Sequence, residues 1–430
     1  MIKNVGKYLN QYAEDEVNLL TGFPQSLSFE NVMIIPAFKE SIDFVDRFIN
    51  SDLAQQNALV IIVINQPEID IRVTVENNAA AEHQQAIDLL QQQLFQQCLT
   101  KGMRVWQNSI LHLVNIEQCN SSLLIVDRFT RPIPEKLGVG LARKIGCDLA
   151  LSLISQNIIN TNWLYSTDAD AHLPNDYFVA LPYQLSLNER QNQHKSQNCV
   201  AACFNFSHHS NDTAIHQANF QYEQALRYYV AGLTYANSAY AFYTIGSVLA
   251  FNAQAYATVR GFPKRSAGED FYIINKLAKL GEIEFIDNCS ILLDARTSDR
   301  VPFGTGPAVS QILALKDLNK PYCYYNPNIF DLLKELLNQF KSLWQYRQNI
   351  EQWLDKQPID INICLVKIGL ISFVVKQINE KQMQFDKQLI VWFDAFKTLK
   401  FIHALREQGY DDIPISEAID KANFSLGIKK

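Results

Sequence analysis

The segment from Trp163 to Asp170 limits the possible folds of this chain more than any other part of its sequence. A short apolar run, Trp163 to Tyr165, is followed by two carboxylates one residue apart, Asp168 and Asp170. The run is typical of a buried strand, and open α/β sheets bind ligands at the carboxyl ends of their strands. Two hard oxygen ligands at such a position can share one divalent cation. An Asp-x-Asp triplet also arises by chance, and aspartate is a common helix cap, so the segment alone leaves both interpretations open.

Two further segments, one on each side of this one in the sequence, favour the cation-binding interpretation over a chance triplet. Val32 to Glu40 is an apolar strand interrupted by a proline and followed by a polar pair. Gly268, Glu269 and Asp270 place a second acidic pair after a flexible loop. In this order, the three segments resemble the family 2 glycosyltransferases, which have the nucleotide-sugar-binding GT-A fold.

The resemblance implies a catalytic role for the third segment. In that family an aspartate in a Gly-Glu-Asp motif is the general base, and it matches Asp270 here, with Glu269 positioning the loop or sharing the proton transfer. The same two carboxylates stand just before an apolar run, where acidic residues cap a helix and stabilise its first turn. Both roles can hold together.

The resemblance also implies a divalent cation, Mn²⁺ or Mg²⁺, as the cofactor. Asp168 and Asp170 match the metal-binding Asp-x-Asp motif of the family. A later histidine often adds a ligand there, whereas the matching region of this chain contains Asp294, which we therefore expect as the third ligand. His172 is the other candidate, although a single histidine beside a turn is more often structural.

The resemblance places the nucleotide at the ends of the first two strands. Pro36, Ala37 and Glu40 follow the first strand, where the base and the ribose lie in that family. The second strand usually ends in an aspartate that contacts the base, but here it ends in Asn65, which can hydrogen-bond a base edge without carrying a charge. Asp127, after a later predicted strand, could supply the missing carboxylate or could be a turn residue.

A glycine pair and two cations form a weaker candidate for phosphate binding. Gly138-x-Gly140 precedes Arg143 and Lys144 near the start of a predicted helix, where anions bind well. Glycines also commonly punctuate loops, and the two cations could equally be solvated helix charges. We include Arg143 among the expected donor-binding residues.

The remaining pattern predicts the fold class. Apolar, β-branched runs alternate with helical periodicities, which is typical of a sheet with βαβ crossovers. We therefore expect a mixed, mostly parallel α/β sheet flanked by helices, Rossmann-like and of GT-A type by resemblance, over residues 1–325. Residues 326–430 form a predicted helical C-terminal domain. Its predicted helices are Ile329–Tyr346, Leu365–Met383 and Leu389–Arg406.

Composition excludes some classes of protein and favours others. The net charge of −6 and a pI of about 5.8 argue against a nucleic-acid-binding protein. The eight cysteines are isolated, and isolated thiols suit a reducing compartment, so we expect a cytoplasmic protein. The first residues lack the apolar core of a signal peptide. The apolar stretch Ile363 to Val375 is interrupted by Lys367 and is too short to span a bilayer. We expect five of the thiols to be buried, namely Cys147, Cys199, Cys203, Cys289 and Cys364.

Taken with the resemblance, these features predict a metal-dependent hexosyltransferase that moves a sugar from a UDP- or GDP-sugar donor to an acceptor hydroxyl, with inversion through a carboxylate base. The acceptor, whether a saccharide, a lipid-linked molecule or a small molecule, stays open. Alternatives are a retaining GT-A enzyme of the glucosyl- or mannosylglycerate synthase type, a nucleotidyltransferase, and a catalytically silent nucleotide-sugar-binding protein. The apolar faces of the C-terminal helices could also be buried by a second copy of the chain or by peripheral contact with a membrane.

Overall fold

The chain forms two compact units in a computed structural model, which describes residues 2–68, 78–190, 198–297 and 304–426. The first unit comprises Met1–His209 and Thr244–Asp294, and the second comprises Ser210–Tyr243 and Ala295–Lys430. The assignment of residues 1–325 and 326–430 to two domains stays a prediction.

A sheet of ten strands is the centre of the first unit, as far as its residues are described. The strands are ordered β3-β4-β5-β2-β1-β6-β9-β8-β10-β7 across the sheet. Their bounds are β1 Asn31–Ala37, β2 Ala58–Pro67, β3 Gly102–Asn108, β4 Leu111–Ile116, β5 Ser122–Ile133, β6 Trp163–Ser166, β7 Ala171–His172, β8 Cys199–His209, β9 Leu249–Asn252 and β10 Glu282–Asp294.

Parallel pairing dominates the middle of this sheet. Strands β5, β2, β1 and β6 pair in parallel, and β8 pairs in parallel with β10. Strand β9 is antiparallel to both of its neighbours, β6 and β8. Buried on both faces, β1 and β2 read as continuous β-branched runs, as central parallel strands do. The predicted mixed, mostly parallel α/β sheet is therefore confirmed.

Helices accompany the sheet in the first unit and are numbered here in chain order over both units. The bounds are α1 Ile2–Gln11, α2 Asp43–Ile49, α3 Asn78–Leu99, α4 Gly138–Ser155, α5 Tyr177–Arg190, α7 Ala253–Thr258 and α8 Glu269–Leu277, with short 3₁₀ turns at Asp15–Leu20, Asp52–Gln55 and Gly246–Val248.

The second unit is mainly helical, which confirms the predicted C-terminal helical region. One long helix from the middle of the chain, α6, shares its core with the C-terminal helices through Tyr228, Phe330, Leu333 and Leu336. Its elements are α6 Thr213–Tyr235, α9 Thr305–Asp317, β11 Cys323–Tyr324, α10 Asn328–Leu343, a 3₁₀ turn at Trp344–Tyr346, α11 Ile350–Leu354, α12 Ile359–Ile368, α13 Leu370–Lys376, α14 Gln382–Trp392, α15 Ala395–Arg406, β12 Ile413–Pro414 and α16 Ile415–Lys421.

Two of the predicted C-terminal helices are wrong in their bounds. The helix predicted from Leu365 to Met383 is broken at Gly369, which takes a φ of +92° in the left-handed region and so ends α12. The helix predicted from Leu389 to Arg406 is interrupted before Asp394, whose side chain accepts a hydrogen bond from the Lys397 N–H and caps α15. The helical spacing of apolar residues continues through both breaks in the sequence, but the capping residues Gly369 and Asp394 end or begin the helices there.

Two more expectations were tested by the structure. The five cysteines expected to be buried are buried, and none of the eight cysteines, all of which lie in the described ranges, forms a disulfide. Within the described ranges, none of the helices has both the length and the hydropathy that a bilayer span requires.

Candidate active site

The candidate residues converge on one edge of the first unit because parallel strands end together. Strands β1 and β6 are neighbours, with Ile34 opposite Ser166. The Thr167 N–H continues this pairing by donating to the Ile34 carbonyl at 3.1 Å. Ala37 ends β1, and Asp168 follows two residues after β6. The sheet thus brings the ends of the first two predicted segments together, as the topology of α/β sheets requires.

Arg143 joins the second and third segments. It lies in α4 and its side chain is only 3% exposed. Its Nη2 donates to Asp168 Oδ1 at 2.6 Å, and its Nε donates to Glu269 Oε1 at 2.9 Å. A third bond runs from Nη1 to Ser166 Oγ at 3.0 Å. The fork of donors on a guanidinium suits such simultaneous contacts, which an ammonium group could not reproduce.

Glycine leaves the space that this guanidinium occupies. A Cβ placed on Gly246 would lie 2.5 Å from Arg143 Nη2, so a larger residue there would displace the side chain. The Thr167 hydroxyl donates to the neighbouring Ser247 carbonyl at 2.8 Å. The segment Gly246–Ser247 therefore packs directly against the site.

Asp270 has an acid–base character suited to neutral pH. It follows Glu269 at the start of α8, where Gly268 takes a left-handed φ of +72°. Burial, followed by repulsion from Glu269, raises the pKa of Asp270 to about 7, while the Phe271 N–H, the guanidinium of Arg143 and other neighbours have smaller effects. A carboxyl group with a pKa near the working pH can both accept and release a proton.

The glycine pair at the start of α4 has a packing role that the sequence did not indicate. The Gly140 N–H donates to the Arg265 carbonyl at 2.9 Å. A Cβ on Gly140 would lie 2.5 Å from the Pro263 carbonyl oxygen, and one on Gly138 would lie 2.5 Å from Ser266 Cα. These glycines let the backbone of the loop before Gly268 approach the helix closely. Neither Arg143 nor Lys144 is a solvated helix charge, since both are buried.

Both candidates for the third metal ligand lie on the paired strands β7 and β10. The Asp294 N–H donates to the Asp170 carbonyl at 3.1 Å, and His172 Nε2 lies 2.9 Å from Asp294 Oδ1. Their side chains are partly exposed, 37% for His172 and 47% for Asp294. Asp294 is thus a neighbour of Asp170 and His172 in the fold, although it lies more than 120 residues from both in the sequence.

The carboxylate oxygens of the candidate metal site suit a hard cation, but they do not complete its coordination. Carboxylate oxygens are the ligands that Mn²⁺ and Mg²⁺ prefer, and a Mg²⁺ site typically uses one or two carboxylates together with substrate phosphates and water. Within residues 2–68, 78–190, 198–297 and 304–426, no three His, Cys, Asp or Glu side chains are gathered closely enough to hold a metal ion alone. The carboxylates present therefore fit a cation only as part of a site that other ligands complete.

At the end of β2, Asn65 presents a polar atom whose hydrogen-bonding capacity is unused among the described residues. Asn65 is 7% exposed, and its Oδ1 has no hydrogen-bond partner there. Pro36 and Ala37 are buried at the end of the neighbouring β1, and Glu40 is half-buried just beyond it. A buried acceptor without a partner is costly to the fold unless a ligand supplies a donor.

Gln91 is a supporting residue that the sequence did not reveal. It lies in α3 and is fully buried. Its Nε2 donates to the carbonyls of Ala37 and Asn65, at 3.2 and 2.8 Å, and its Oε1 accepts from the Lys39 N–H at 3.0 Å. One amide thus holds the ends of β1 and β2 in place. Nothing distinguishes this glutamine from the many others in the same helix except its burial.

Asp127 is engaged locally. Its carboxylate accepts from the N–H groups of Phe129 and Thr130, at 3.2 and 2.9 Å, and from the Thr130 hydroxyl at 2.7 Å. The adjacent Arg128 pairs with Glu16 at 3.2 Å. These bonds agree with the interpretation of Asp127 as a turn residue.

Comparison with known proteins identifies no family for this chain. No model of a protein family matches it, and no curated protein matches it. Among solved structures it is similar to the mannosyltransferase PcManGT from Pyrobaculum calidifontis in complex with GDP-Man and Mn²⁺, with 13% identity and a TM-score of 0.32. That alignment covers 92% of this chain and 95% of the other. This similarity is too low to bear on activity.

Proposed function

We propose that this protein is a metal-dependent glycosyltransferase of GT-A type, which moves a hexosyl group from a nucleotide-sugar donor to an acceptor hydroxyl. One arrangement carries the proposal: Arg143 binds Asp168 and Glu269 together, next to Asp270, where burial and the charge of Glu269 raise the pKa to about 7. A carboxyl group that can take a proton at neutral pH, and carboxylates that can hold a cation against the departing diphosphate, are the two functions that such a transfer needs.

In the proposed reaction, Asp270 acts as the general base. The acceptor oxygen forms a bond to the anomeric carbon while the bond from that carbon to the diphosphate oxygen breaks. The electron pair of the broken bond leaves with the nucleoside diphosphate, and the acceptor proton passes to the Asp270 carboxylate. This single displacement inverts the anomeric configuration. The buried Glu269, held by Arg143, keeps the loop and the start of α8 in position.

Asp168 and Asp170 are the proposed protein ligands of Mn²⁺ or Mg²⁺, and the expected third ligand, Asp294, is not gathered with them into a three-residue site among the described residues. When bound, the cation would neutralise the charge that develops on the departing diphosphate. Arg143 has a separate role in this proposal. It orients Asp168 through a 2.6 Å charge-assisted bond, so that one carboxylate oxygen is fixed in direction. Direct contact between Arg143 and the donor stays a prediction.

Base recognition is assigned to the ends of β1 and β2. The unpartnered Asn65 Oδ1 would accept a hydrogen bond from a ring N–H, which both uracil and guanine carry. Pro36, Ala37 and Glu40 are the proposed surroundings of the base and ribose. The proposal therefore covers UDP- and GDP-sugars, and the acceptor remains to be identified.

Release of the nucleoside diphosphate tests the proposal without a known acceptor. The full chain is incubated with UDP- and GDP-hexoses and Mn²⁺, and the products are followed by phosphorus NMR. Slow hydrolysis of one donor to the nucleoside diphosphate supports glycosyl transfer. Release of a hexose 1-phosphate together with a nucleoside monophosphate would instead indicate attack on the nucleotidyl phosphorus, as in a nucleotidyl-transfer enzyme. The anomer formed first, observed by proton NMR, separates the inverting reaction from the retaining one.

A further inference from the structure

Residues 8–14, here called the anchor segment, form a buried ionic cluster with α4. Tyr8 is 1% exposed, and its hydroxyl donates to Asp148 Oδ1 at 2.6 Å. Lys144 Nζ donates to the Tyr8 hydroxyl and to Asp148 Oδ2, both at 2.7 Å. The fully buried Asp148 also accepts from the Tyr256 hydroxyl and from the Glu14 N–H, both at 2.9 Å. Such a network keeps one geometry because each buried polar group depends on the others.

The anchor segment also contacts the loop that leads to the catalytic carboxylates. Gly261 begins this loop with a left-handed φ of +69°, and a Cβ placed on it would lie 2.4 Å from the Tyr8 hydroxyl. At the other end of the segment, a carboxylate oxygen of Glu14 lies 3.3 Å from Lys264 Nζ. The anchor segment therefore touches the loop at two points, one buried and one partly exposed.

Helix α4 connects this cluster to the active site. Lys144, which binds the anchor segment, is the next residue after Arg143, which binds Asp168 and Glu269. Near the start of the same helix, the Gly140 N–H donates a hydrogen bond to the Arg265 carbonyl of this loop at 2.9 Å. The loop is thus fixed between the helix and the anchor segment immediately before the catalytic pair.

We propose that Tyr8 is a positioning residue, which fixes the loop 261–268 and through it Glu269 and Asp270. This inference rests on the proposed function for its catalytic meaning. Tyr8 touches neither reacting atom. Its hydroxyl links Asp148, Lys144 and the close backbone at Gly261, so its loss would loosen the loop while leaving the carboxylates and the metal-directed aspartates chemically intact.

Hydrogen exchange on the ligand-free full chain tests this positioning role. Tyr8→Phe removes only the hydroxyl, and we expect amide exchange in residues 261–272 to become about tenfold faster. Tyr177→Phe is the matched control, because Tyr177 is fully buried in the same unit and its hydroxyl has no hydrogen-bond partner among the described residues. Unchanged exchange in residues 261–272 of the Tyr8→Phe variant overturns the proposal, whether or not the donor assignment holds.

Kinetics then separate a positioning role from a merely structural one. In the Tyr8→Phe variant we expect kcat for donor hydrolysis to fall roughly ten- to hundredfold, with the donor KM unchanged. A rise in the donor KM as large as the fall in kcat, or a fall in kcat no larger than that of Tyr177→Phe, would contradict the inference. Should Tyr8→Phe fold poorly, Glu14→Gln weakens the second contact instead, and exchange in residues 261–272 is again expected to rise. If no donor is turned over by the unmodified chain, the proposed function fails while the exchange result still decides the positioning role.

Discussion

Arg143 and Glu269 are 126 residues apart in sequence, and a 2.9 Å hydrogen bond from Nε to Oε1 joins them in the buried part of the site. The same guanidinium holds Asp168 at 2.6 Å. One positive charge therefore compensates the carboxylates of two separate segments, and the stability of the site depends on it.

Replacement of Arg143 by methionine should destabilise the first unit. The change leaves Asp168 and Glu269 without their shared cation, and loss of one partner from a buried ion pair typically costs about 3–5 kcal/mol. Urea denaturation at neutral pH measures the free energy of unfolding. Lys421→Met is the control, because it breaks an exposed Lys421–Glu417 pair and should change that free energy by less than about 1 kcal/mol. If the two changes lowered the free energy of unfolding equally, the charge of Arg143 would contribute no more to stability than that of an exposed lysine.

The rate of donor turnover should rise with pH through about 7. Only the ionised Asp270 can accept the acceptor proton, and burial beside Glu269 raises the pKa of this carboxyl to about 7. Asp270→Asn should keep donor affinity and lower kcat by about 10²- to 10⁴-fold at pH 8. The pH–rate profile of the unmodified chain checks the pKa. A profile that is flat between pH 5 and 8, or a variant of unchanged rate, would assign the base elsewhere, with Glu269 the next residue to test.

The same raised pKa should make Asp270→Asn stabilising at high pH. In the folded chain Asp270 holds its proton up to about pH 7, whereas its ordinary pKa is 3.8. The folded state therefore binds more protons than the unfolded state between these values, so the Asp270 contribution to stability is present at low pH and is lost as pH rises towards 7. Melting temperatures of the two proteins should lie closer together at pH 4 than at pH 8, where the variant should be the more stable. A difference in Tm that is independent of pH would contradict the raised pKa.

Truncation after Tyr325 should expose the core face of α6. The Tyr228 side chain is fully buried in this face. The ring of Phe330 packs so closely on Gly232 that a Cβ placed there would lie 2.5 Å from it. The hydroxyl of Tyr235 also donates to Asp331 at 2.8 Å. The truncated chain should aggregate or melt at a lower temperature although it keeps all the proposed donor-binding residues. Light scattering and thermal melts check this, and a monomeric product of unchanged Tm would show that the C-terminal helices are an independent module.

The sequence predicted which segments meet but not how their side chains are shared. Strand ends place Ala37 and Asp168 at one edge by topology alone, so their convergence could be foreseen. The bond from Arg143 to Glu269 depends on the path of a loop, and no local pattern reports it. Lys144 is the clearest case, because a lysine near a helix start is usually solvated, whereas here a buried aspartate and a tyrosine from α1 surround it. Long-range burial of polar groups is a property of the assembled core, which periodicity does not describe.

Calorimetric titration with nucleotide sugars is the most direct test of the central claim. The full chain is titrated with a panel of UDP- and GDP-hexoses, with and without Mn²⁺, alongside Asp170→Ala. We predict that one donor binds with an affinity that requires Mn²⁺, and that Asp170→Ala abolishes this dependence while far-UV circular dichroism shows an intact fold. Absence of binding by every donor in the presence of Mn²⁺, or full Mn²⁺-dependent affinity in the variant, would contradict the assignment of this site to metal-dependent glycosyl transfer.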